Sequence, residues 1–177
     1  MNNISKKALT LTAYKFIKTG TDSNTLNLFI ALTKPATLSL IIEKATELGA
    51  ASIQLVATQY CQSREINLEK LTKIAISATE QCGRLDYPII KAPQVLAKIA
   101  NEHHKMIVGT VNAGCSLKTL SAYNCNNWLI GPEGGFSQTE GELFKEKNYL
   151  LFTLGHNILR SETAAIAAAV THSLINQ

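Results

Sequence analysis

Short uninterrupted runs of apolar residues alternate along the chain with segments in which apolar residues recur every three or four positions. Runs of the first kind are typical of strands buried on both faces of a sheet, and segments of the second kind are typical of amphipathic helices. The runs predict strands at 28–32, 53–56, 89–90, 106–109, 128–130 and 150–154. The alternation of strands and helices predicts an α/β fold with a mostly parallel sheet and helices on both faces.

The predicted helices have recognisable ends. One begins after Lys34 and Pro35 and stops at Gly49, and a second covers 68–82 and stops at Gly83. A third is predicted over 94–102. A capping box, in which Ser137 precedes Glu140 by three residues, predicts a helix that runs to about residue 147. The last helix is the alanine-rich segment 161–175, since alanine favours helices strongly.

Composition sets broad limits on the kind of protein. The 177 residues are enough for one domain, or for one domain with a short appendage. The 46% of hydrophobic residues can form a sizeable core, and only 17% are charged, which argues against a disordered chain. The net charge of +4 is compatible with an RNA partner but is shared by many other proteins.

The chain has neither the apolar run of about 20 residues that a membrane helix needs nor an N-terminal signal peptide, so a cytoplasmic protein is expected. The four cysteines have no metal-ligand spacing, and no histidine pair lies near them at zinc-finger spacing. We therefore expect reduced, packed thiols and no metal site.

A glycine-rich loop follows the strand predicted at 128–130. It reads Ile130, Gly131, Pro132, Glu133, Gly134, Gly135, Phe136 and Ser137. Ligands of open α/β sheets bind beyond the carboxyl ends of the strands, and glycine lets the backbone approach a ligand closely. An ordinary tight turn is the alternative interpretation. A phosphate-binding loop is disfavoured because no lysine follows the glycines.

A second loop, at 154–164, leads from the last strand into the last helix. Arg160 and Glu162 stand at the start of a helix that is otherwise almost uncharged, and such a pair on a mostly buried helix requires a reason. One explanation is a ligand. The other is helix capping by Ser161 or Thr163, with Glu162 favourable at the positive helix end and Arg160 solvated.

Taken together, GPEGGFSQTE at 131–140 and LGHNILRSETA at 154–164 resemble the signature of the RsmE family. These are ribosomal RNA small-subunit methyltransferases that methylate uridine at N3. Upstream, KATELG at 44–49, the Ser63-Arg64 pair, EQCGR at 80–84 and Pro88 fall where that family has similar motifs. The resemblance covers roughly residues 28–177.

The resemblance implies a SPOUT fold with a C-terminal trefoil knot, a bound S-adenosylmethionine and a homodimer that acts on ribosomal RNA or the small ribosomal subunit. Carried over residue by residue, it assigns cofactor contacts to the two loops. The cofactor-binding residues are then Ile130, Gly131, Pro132, Glu133, Gly134, Gly135, Leu154, Gly155, Ile158, Leu159, Arg160 and Thr163.

The resemblance, together with residue chemistry, implies candidate roles in catalysis and RNA binding. Arg160 is the candidate cation for the charge that develops on the acceptor base, because arginine presents a planar fork of donors. Glu162 would orient Arg160 or accept a proton. Arg84 and Gln81 are candidates for RNA or partner-subunit contact, and Arg64 is a further RNA candidate.

The sequence departs from the family pattern at its beginning. Members normally start with a separate PUA-like β-barrel, whereas residues 1–27 would form only a tail or remnant before the methyltransferase domain at 28–177. Two other functions stay open. One is a different SPOUT methyltransferase, acting on transfer RNA or on a ribose 2′-OH. The other is a catalytically silent protein that binds the cofactor or RNA.

Overall fold

The structure, a computed structural model, describes residues 3–5, 8–10, 25–62, 66–111, 113–114, 117–153 and 157–176. Near the N-terminus, Asn3–Ser5 (β1) and Ala8–Thr10 (β2) form an antiparallel pair. The remaining elements are Asn27–Ala31 (β3), Pro35–Glu47 (α1), Ser52–Ala57 (β4), Leu68–Cys82 (α2), Ile89–Val95 (β5), Leu96–Glu102 (α3), Ile107–Gly109 (β6), Leu117–Tyr123 (α4), Asn127–Ile130 (β7), Gln138–Glu146 (α5), Leu150–Phe152 (β8) and Ser161–Ile175 (α6).

Strands β3 to β8 form a six-stranded sheet in the order β5-β4-β3-β7-β6-β8. All five neighbouring pairs run parallel, which confirms the predicted parallel sheet. Polar side chains fix the register at the amino end of the central strands. Asn27 donates to the Asn127 side chain at 3.1 Å and accepts from the Ser52 hydroxyl at 2.6 Å.

Two apolar cores lie on opposite faces of this sheet. One contains side chains of α1, α2, α4 and α6 together with Leu28 and Ile30 of β3. The other contains side chains of α3 and α5 together with Phe29 of the same strand and Val56 of β4. Because both faces are covered, most strands are apolar runs, as the sequence predicted, whereas the edge strand β5 carries Lys91 and Gln94 and is largely exposed.

Most predicted ends of helices are confirmed by local geometry. Gly83 ends α2 in the left-handed region, with φ 74°, and its N–H bonds the Thr79 carbonyl. The capping box of α5 is complete, since Ser137 and Glu140 each accept from the other's backbone N–H.

Three boundaries differ from the predictions by two residues or more. The strand predicted at 89–90 extends to Val95, so the helix predicted from 94 begins at Leu96. Pairing of Gln94 and Val95 with β4 extends the strand, and this pairing cannot be read from local sequence. The last strand ends at Phe152, and α4 and the β1-β2 pair were not predicted at all.

Helix α6 runs from the carboxyl edge of the sheet back to its amino edge. It begins shortly after β8, and near its other end His172 accepts from the Trp128 indole N–H at 3.2 Å and contacts the Thr25 hydroxyl, just before β3. The predicted knot depends on loops after β6 and β8 that include residues outside the described ranges, so it stays a prediction. Within the described ranges, no helix combines the length and apolarity needed to cross a bilayer.

Candidate functional site

The loops predicted to carry chemistry meet at the carboxyl edge of the sheet. The glycine loop follows β7, which lies between β3 and β6, and the segment that enters α6 follows β8, on the other side of β6. In parallel sheets this edge is where ligands bind. The fold therefore brings residues 130–135 and 157–163 to the same end of the molecule.

The glycine loop is compact because its glycines lie against aromatic side chains. A β-carbon at Gly131 would lie 2.9 Å from a ring carbon of Phe136, and one at Gly134 would lie 3.1 Å from the β-carbon of Tyr60. Gly135 has φ 71°, a conformation that side chains with a β-carbon rarely adopt, and its N–H closes a turn onto the Pro132 carbonyl at 2.9 Å. Each glycine thus meets a steric requirement of this turn.

Glu140 connects this loop to the turn that follows β4. One carboxylate oxygen accepts from the Ser137 N–H at 2.8 Å, and the other accepts from the Gln59 N–H at 2.9 Å. Together with the contact between Gly134 and Tyr60, this bond joins the ends of β4 and β7 into one rigid platform. Glu133, at the tip of the loop, is exposed.

The segment that enters α6 presents exposed side chains at the same edge. Ile158 is 81% exposed, and Arg160 and Thr163 are also exposed. Arg160 is the N-cap residue of α6, with φ −67° and ψ 155°, and no side chain among the described residues caps the helix. The capping explanation for Ser161 and Thr163 is therefore wrong, and the uncapped N–H groups place positive potential at this end of the helix.

Arg160 and Glu162 are available for a ligand. In the described part of the chain, neither side chain makes a hydrogen bond or ion pair, and Glu162 is half-buried. A guanidinium and a carboxylate two residues apart at the start of one helix can stabilise charge and handle a proton on a bound molecule.

The structure places the predicted RNA residues Gln81 and Arg84 at the opposite edge of the sheet. Helix α2 leads away from the carboxyl edge, and Arg84 donates to the carbonyls of Thr46 at 2.7 Å and Ala50 at 3.1 Å. Its side chain is only 8% exposed and also pairs with Asp86 at 3.1 Å. Its guanidinium is engaged inside the protein, which gives Arg84 a structural role, and the predicted contact with RNA or a partner subunit stays a prediction. Gln81 is exposed beside a groove between α1 and α2.

Two residues of the upstream KATELG motif, Lys44 and Glu47, belong to an ion-pair cluster on α1. Lys44 contacts Glu43 at 2.7 Å and Glu47 at 2.8 Å. Donating hydrogen bonds to the Glu43 and Glu47 carboxylates raises the pKa of Lys44 to about 12. Three predicted site residues, Arg64, Leu154 and Gly155, lie outside the described residues, so their roles stay predictions.

The structure also reveals features of the site that sequence reasoning missed. A cleft of about 510 Å³ opens between the starts of α3 and α5, and Ala57, Gln59, Val95, Ser137, Glu140 and Leu143 are among its lining residues. The hydroxyls of Thr33, Thr58 and Ser161 are buried with no hydrogen-bond partner in the part of the chain that is described. The cleft and these buried hydroxyls are formed by segments far apart in the sequence, so they can be identified only in the folded structure.

Comparison with known proteins points to one family. The model for an RNA methyltransferase domain matches residues 21–173. A protein of Rickettsia conorii named ribosomal RNA small subunit methyltransferase E is 38% identical, and the match covers 95% of this chain and 72% of that protein. A protein of the same name from Buchnera aphidicola subsp. Schizaphis graminum is 35% identical over 77% of this chain and 60% of its own length.

A solved structure extends the likeness to the fold. The crystal structure of ribosomal RNA small subunit methyltransferase E from Neisseria gonorrhoeae, bound to S-adenosylmethionine, superposes with a TM-score of 0.81 at 25% identity. The match covers 88% of this chain and 68% of that chain. The helices on both faces of a parallel sheet therefore have the arrangement expected of a SPOUT methyltransferase.

Proposed function

Because this chain belongs to the RNA methyltransferase domain family, alongside proteins named ribosomal RNA small subunit methyltransferase E, we propose that it transfers a methyl group from S-adenosylmethionine to N3 of a uridine in small-subunit ribosomal RNA. The family supports the coarser statement that it is an RNA methyltransferase dependent on this cofactor. The nucleotide and the atom are the finer part of the proposal. The observation that carries it is Arg160 at the start of α6, which has no ion-pair or hydrogen-bond partner among the described residues and lies at the same edge of the sheet as the glycine loop.

The residues present fit S-adenosylmethionine. This cofactor combines an adenine, a ribose with two hydroxyls and a positively charged tail. The exposed Glu133 offers a carboxylate for hydroxyls or positive charge, and the exposed Ile158 offers an apolar surface for a base. The closely packed glycines let backbone atoms of residues 131–135 approach a ligand. Gly131 to Gly135, Ile158, Leu159 and Thr163 would hold the cofactor, and Leu154 and Gly155 complete the proposed set.

When bound, the cofactor supplies an activated methyl group on a sulfonium sulfur. In the proposed reaction the bond from N3 to carbon forms as the carbon–sulfur bond breaks, the N3 proton leaves, and the sulfur keeps the electron pair as a neutral thioether. The protein must therefore hold the base in line with the methyl group and favour loss of the proton.

Arg160 and Glu162 are the residues proposed to act on the base. Loss of the N3 proton leaves negative charge shared with the two carbonyl oxygens of the uracil ring, and the Arg160 guanidinium would stabilise that charge through its planar donors. Glu162, two residues further along, would accept the proton or hold Arg160 in place.

The proposed assembly is a homodimer that acts in the cytoplasm on ribosomal RNA or the small ribosomal subunit. Its support in the structure is an apolar stripe on α6. Val170 is 40% exposed and Leu174, one turn later, is 60% exposed, and the helix carries no Asp, Glu, Lys or Arg after Glu162. A surface of this kind is suited to burial against a second copy of the chain.

The function is tested with small ribosomal subunits and with naked ribosomal RNA, both prepared from cells that lack the modification. Nucleoside mass spectrometry after incubation with S-adenosylmethionine should detect 3-methyluridine. Arg160→Ala should bind the cofactor with less than about a tenfold loss, because the cofactor has other contacts, yet turn over at least about a hundredfold more slowly. Lys98→Ala removes an exposed cation from α3 and serves as the control.

Other outcomes would favour the alternatives. A methylated transfer RNA, or a 2′-O-methylated ribose, would identify a different SPOUT activity. Cofactor binding without any methyl transfer would favour the silent binding protein. Near-normal turnover by Arg160→Ala would remove Arg160 from the mechanism.

A further inference from the structure

Glu140 makes a hydrogen bond that helix capping does not require. In a capping box the glutamate returns one carboxylate oxygen to the N–H of the N-cap residue, and Glu140 does so toward Ser137 at 2.8 Å. Its other oxygen accepts from the N–H of Gln59, which stands 81 residues earlier in the chain, at 2.9 Å. Glutamine at position 140 would also complete the box, but it has a single acceptor oxygen, so the second bond depends on a carboxylate.

The second bond fixes the turn after β4 against the glycine loop. Gln59 lies in that turn, and the next residue, Tyr60, packs on the loop, since a β-carbon at Gly134 would lie 3.1 Å from the β-carbon of Tyr60. So close a contact exists only while the turn and the loop keep one relative position. The Glu140 carboxylate bonds both sides of this contact, the turn at Gln59 and the end of the loop at Ser137.

The glycine loop benefits from such external support. Its turn is closed by the bond from the Gly135 N–H to the Pro132 carbonyl, and Glu133 and Gly134 inside the turn are exposed. Two successive glycines lose much conformational entropy when they are fixed, because glycine has the widest backbone freedom. Contacts that order the loop in the free chain therefore lower the entropic cost of binding a ligand there.

We infer that Glu140 is a positioning residue, which holds the glycine loop in the conformation that receives S-adenosylmethionine. The inference rests on the proposed function, which assigns the cofactor to residues 131–135 among others. Glu140 stands outside that set and acts through the loop. Its loss should weaken cofactor binding, whereas a cofactor that has bound restores the order of the loop. The expected signature is a raised KM for S-adenosylmethionine with little change in kcat.

Glu140→Gln tests the inference because it keeps the size of the side chain and the capping box but removes one acceptor. The dissociation constant and the KM for S-adenosylmethionine should rise about three- to tenfold, and kcat on ribosomal RNA at saturating cofactor should stay within about twofold. The expected rise is modest for a bond to a carboxylate, because Gln59 is exposed and water competes for its N–H. The melting temperature should fall by less than about 3 °C.

Amide hydrogen exchange measures the order of the loop directly. In the free Glu140→Gln chain, the amides of Gln59 and Gly135 should exchange at least about threefold faster than in the wild type. The Gly135 N–H bonds the Pro132 carbonyl and not Glu140, so faster exchange there reports a less ordered loop rather than the lost bond itself. Saturating S-adenosylmethionine should return the Gly135 amide to the wild-type rate.

Two control variants separate charge and capping from positioning. Glu142→Gln makes the same change of charge on the same helix, at a carboxylate that accepts from the Gln138 side chain at 2.9 Å. Asn67→Ala removes the N-cap acceptor of α2, which bonds the Lys70 N–H at 2.9 Å, and should lower the melting temperature by about 2–4 °C. Both controls should leave the KM for S-adenosylmethionine within about twofold.

Several results would overturn the inference. A Glu140→Gln chain with wild-type KM for the cofactor, or with unchanged exchange at Gly135, would leave Glu140 as a helix cap alone. A lowered kcat with unchanged KM would place Glu140 in the chemical step instead. A wild-type chain that does not bind S-adenosylmethionine overturns the proposed function itself, whereas a wild type that binds it, with an unaffected Glu140→Gln chain, overturns only the positioning role.

Discussion

Replacing Gly131 by alanine tests whether the glycine loop is held by packing. The backbone of Gly131 does not have a positive φ, so it accepts a side chain, and the atoms nearest to a new β-carbon belong to Phe136. The new β-carbon would lie 2.9, 3.1 and 3.4 Å from three atoms of the Phe136 ring. That ring packs edge-on against Phe144 with centroids 4.9 Å apart, so it cannot yield without disturbing the core under α5.

The size of the effect follows from these contacts. Overpacking of this kind costs about 1–3 kcal/mol. For a chain of this length each kcal/mol lowers the melting temperature by about 2–4 °C, so Gly131→Ala should melt about 2–12 °C lower. Because Phe136 and the loop must move together, affinity for S-adenosylmethionine should fall by at least about tenfold, or about 1.4 kcal/mol.

Gly141→Ala is the matched control, and Phe136→Leu provides a rescue. Nothing lies within 4 Å of a β-carbon at Gly141 inside α5, so alanine there should stabilise the helix by about 0.5–1 kcal/mol. In a Phe136→Leu background the cost of Gly131→Ala should shrink to below about 0.5 kcal/mol, because the obstructing ring is gone. Calorimetry and thermal melts measure both quantities. A Gly131→Ala protein with wild-type stability and cofactor affinity would refute the packing argument.

Two further predictions concern groups far from the loop. Arg84→Met should lower the free energy of unfolding by about 1.5–3 kcal/mol, because the carbonyls of Thr46 and Ala50 lose their charged donor. RNA affinity should stay unchanged in a filter-binding assay, and a selective loss of RNA affinity would support the predicted RNA contact. Burial lowers the pKa of His172 below its ordinary 6.5, and its Nδ1 must stay unprotonated to accept from Trp128. The folded state therefore binds fewer protons than the unfolded state, so this stabilisation is complete above about pH 6.5 and declines as the pH falls toward the folded-state pKa. Chemical denaturation between pH 7.5 and 5.5 should show that loss in the wild type and a flatter profile in His172→Gln; identical profiles would contradict it.

Local sequence was sufficient for the elements and for the chemistry they carry. Uninterrupted apolar runs predicted the strands because both faces of the sheet are covered, and Gly83 and the Ser137–Glu140 box marked helix ends because those signals act within one turn. The two C-terminal motifs indicated the family for the same reason, because each motif consists of residues that are contiguous in the sequence.

Tertiary structure alone decided which distant groups meet. The sequence alone predicted that Arg84 contacts RNA or a partner subunit. In the fold, the turn after α2 directs its guanidinium to backbone carbonyls 34 and 38 residues away. Thr33 and Thr58 give no signal in their own segments, yet in the fold both hydroxyls are buried with no hydrogen-bond partner among the described residues. Local patterns specify which conformation a segment adopts, whereas pairing between strands and packing of loops depend on contacts between residues far apart in the chain, and those contacts exist only once the sheet has formed.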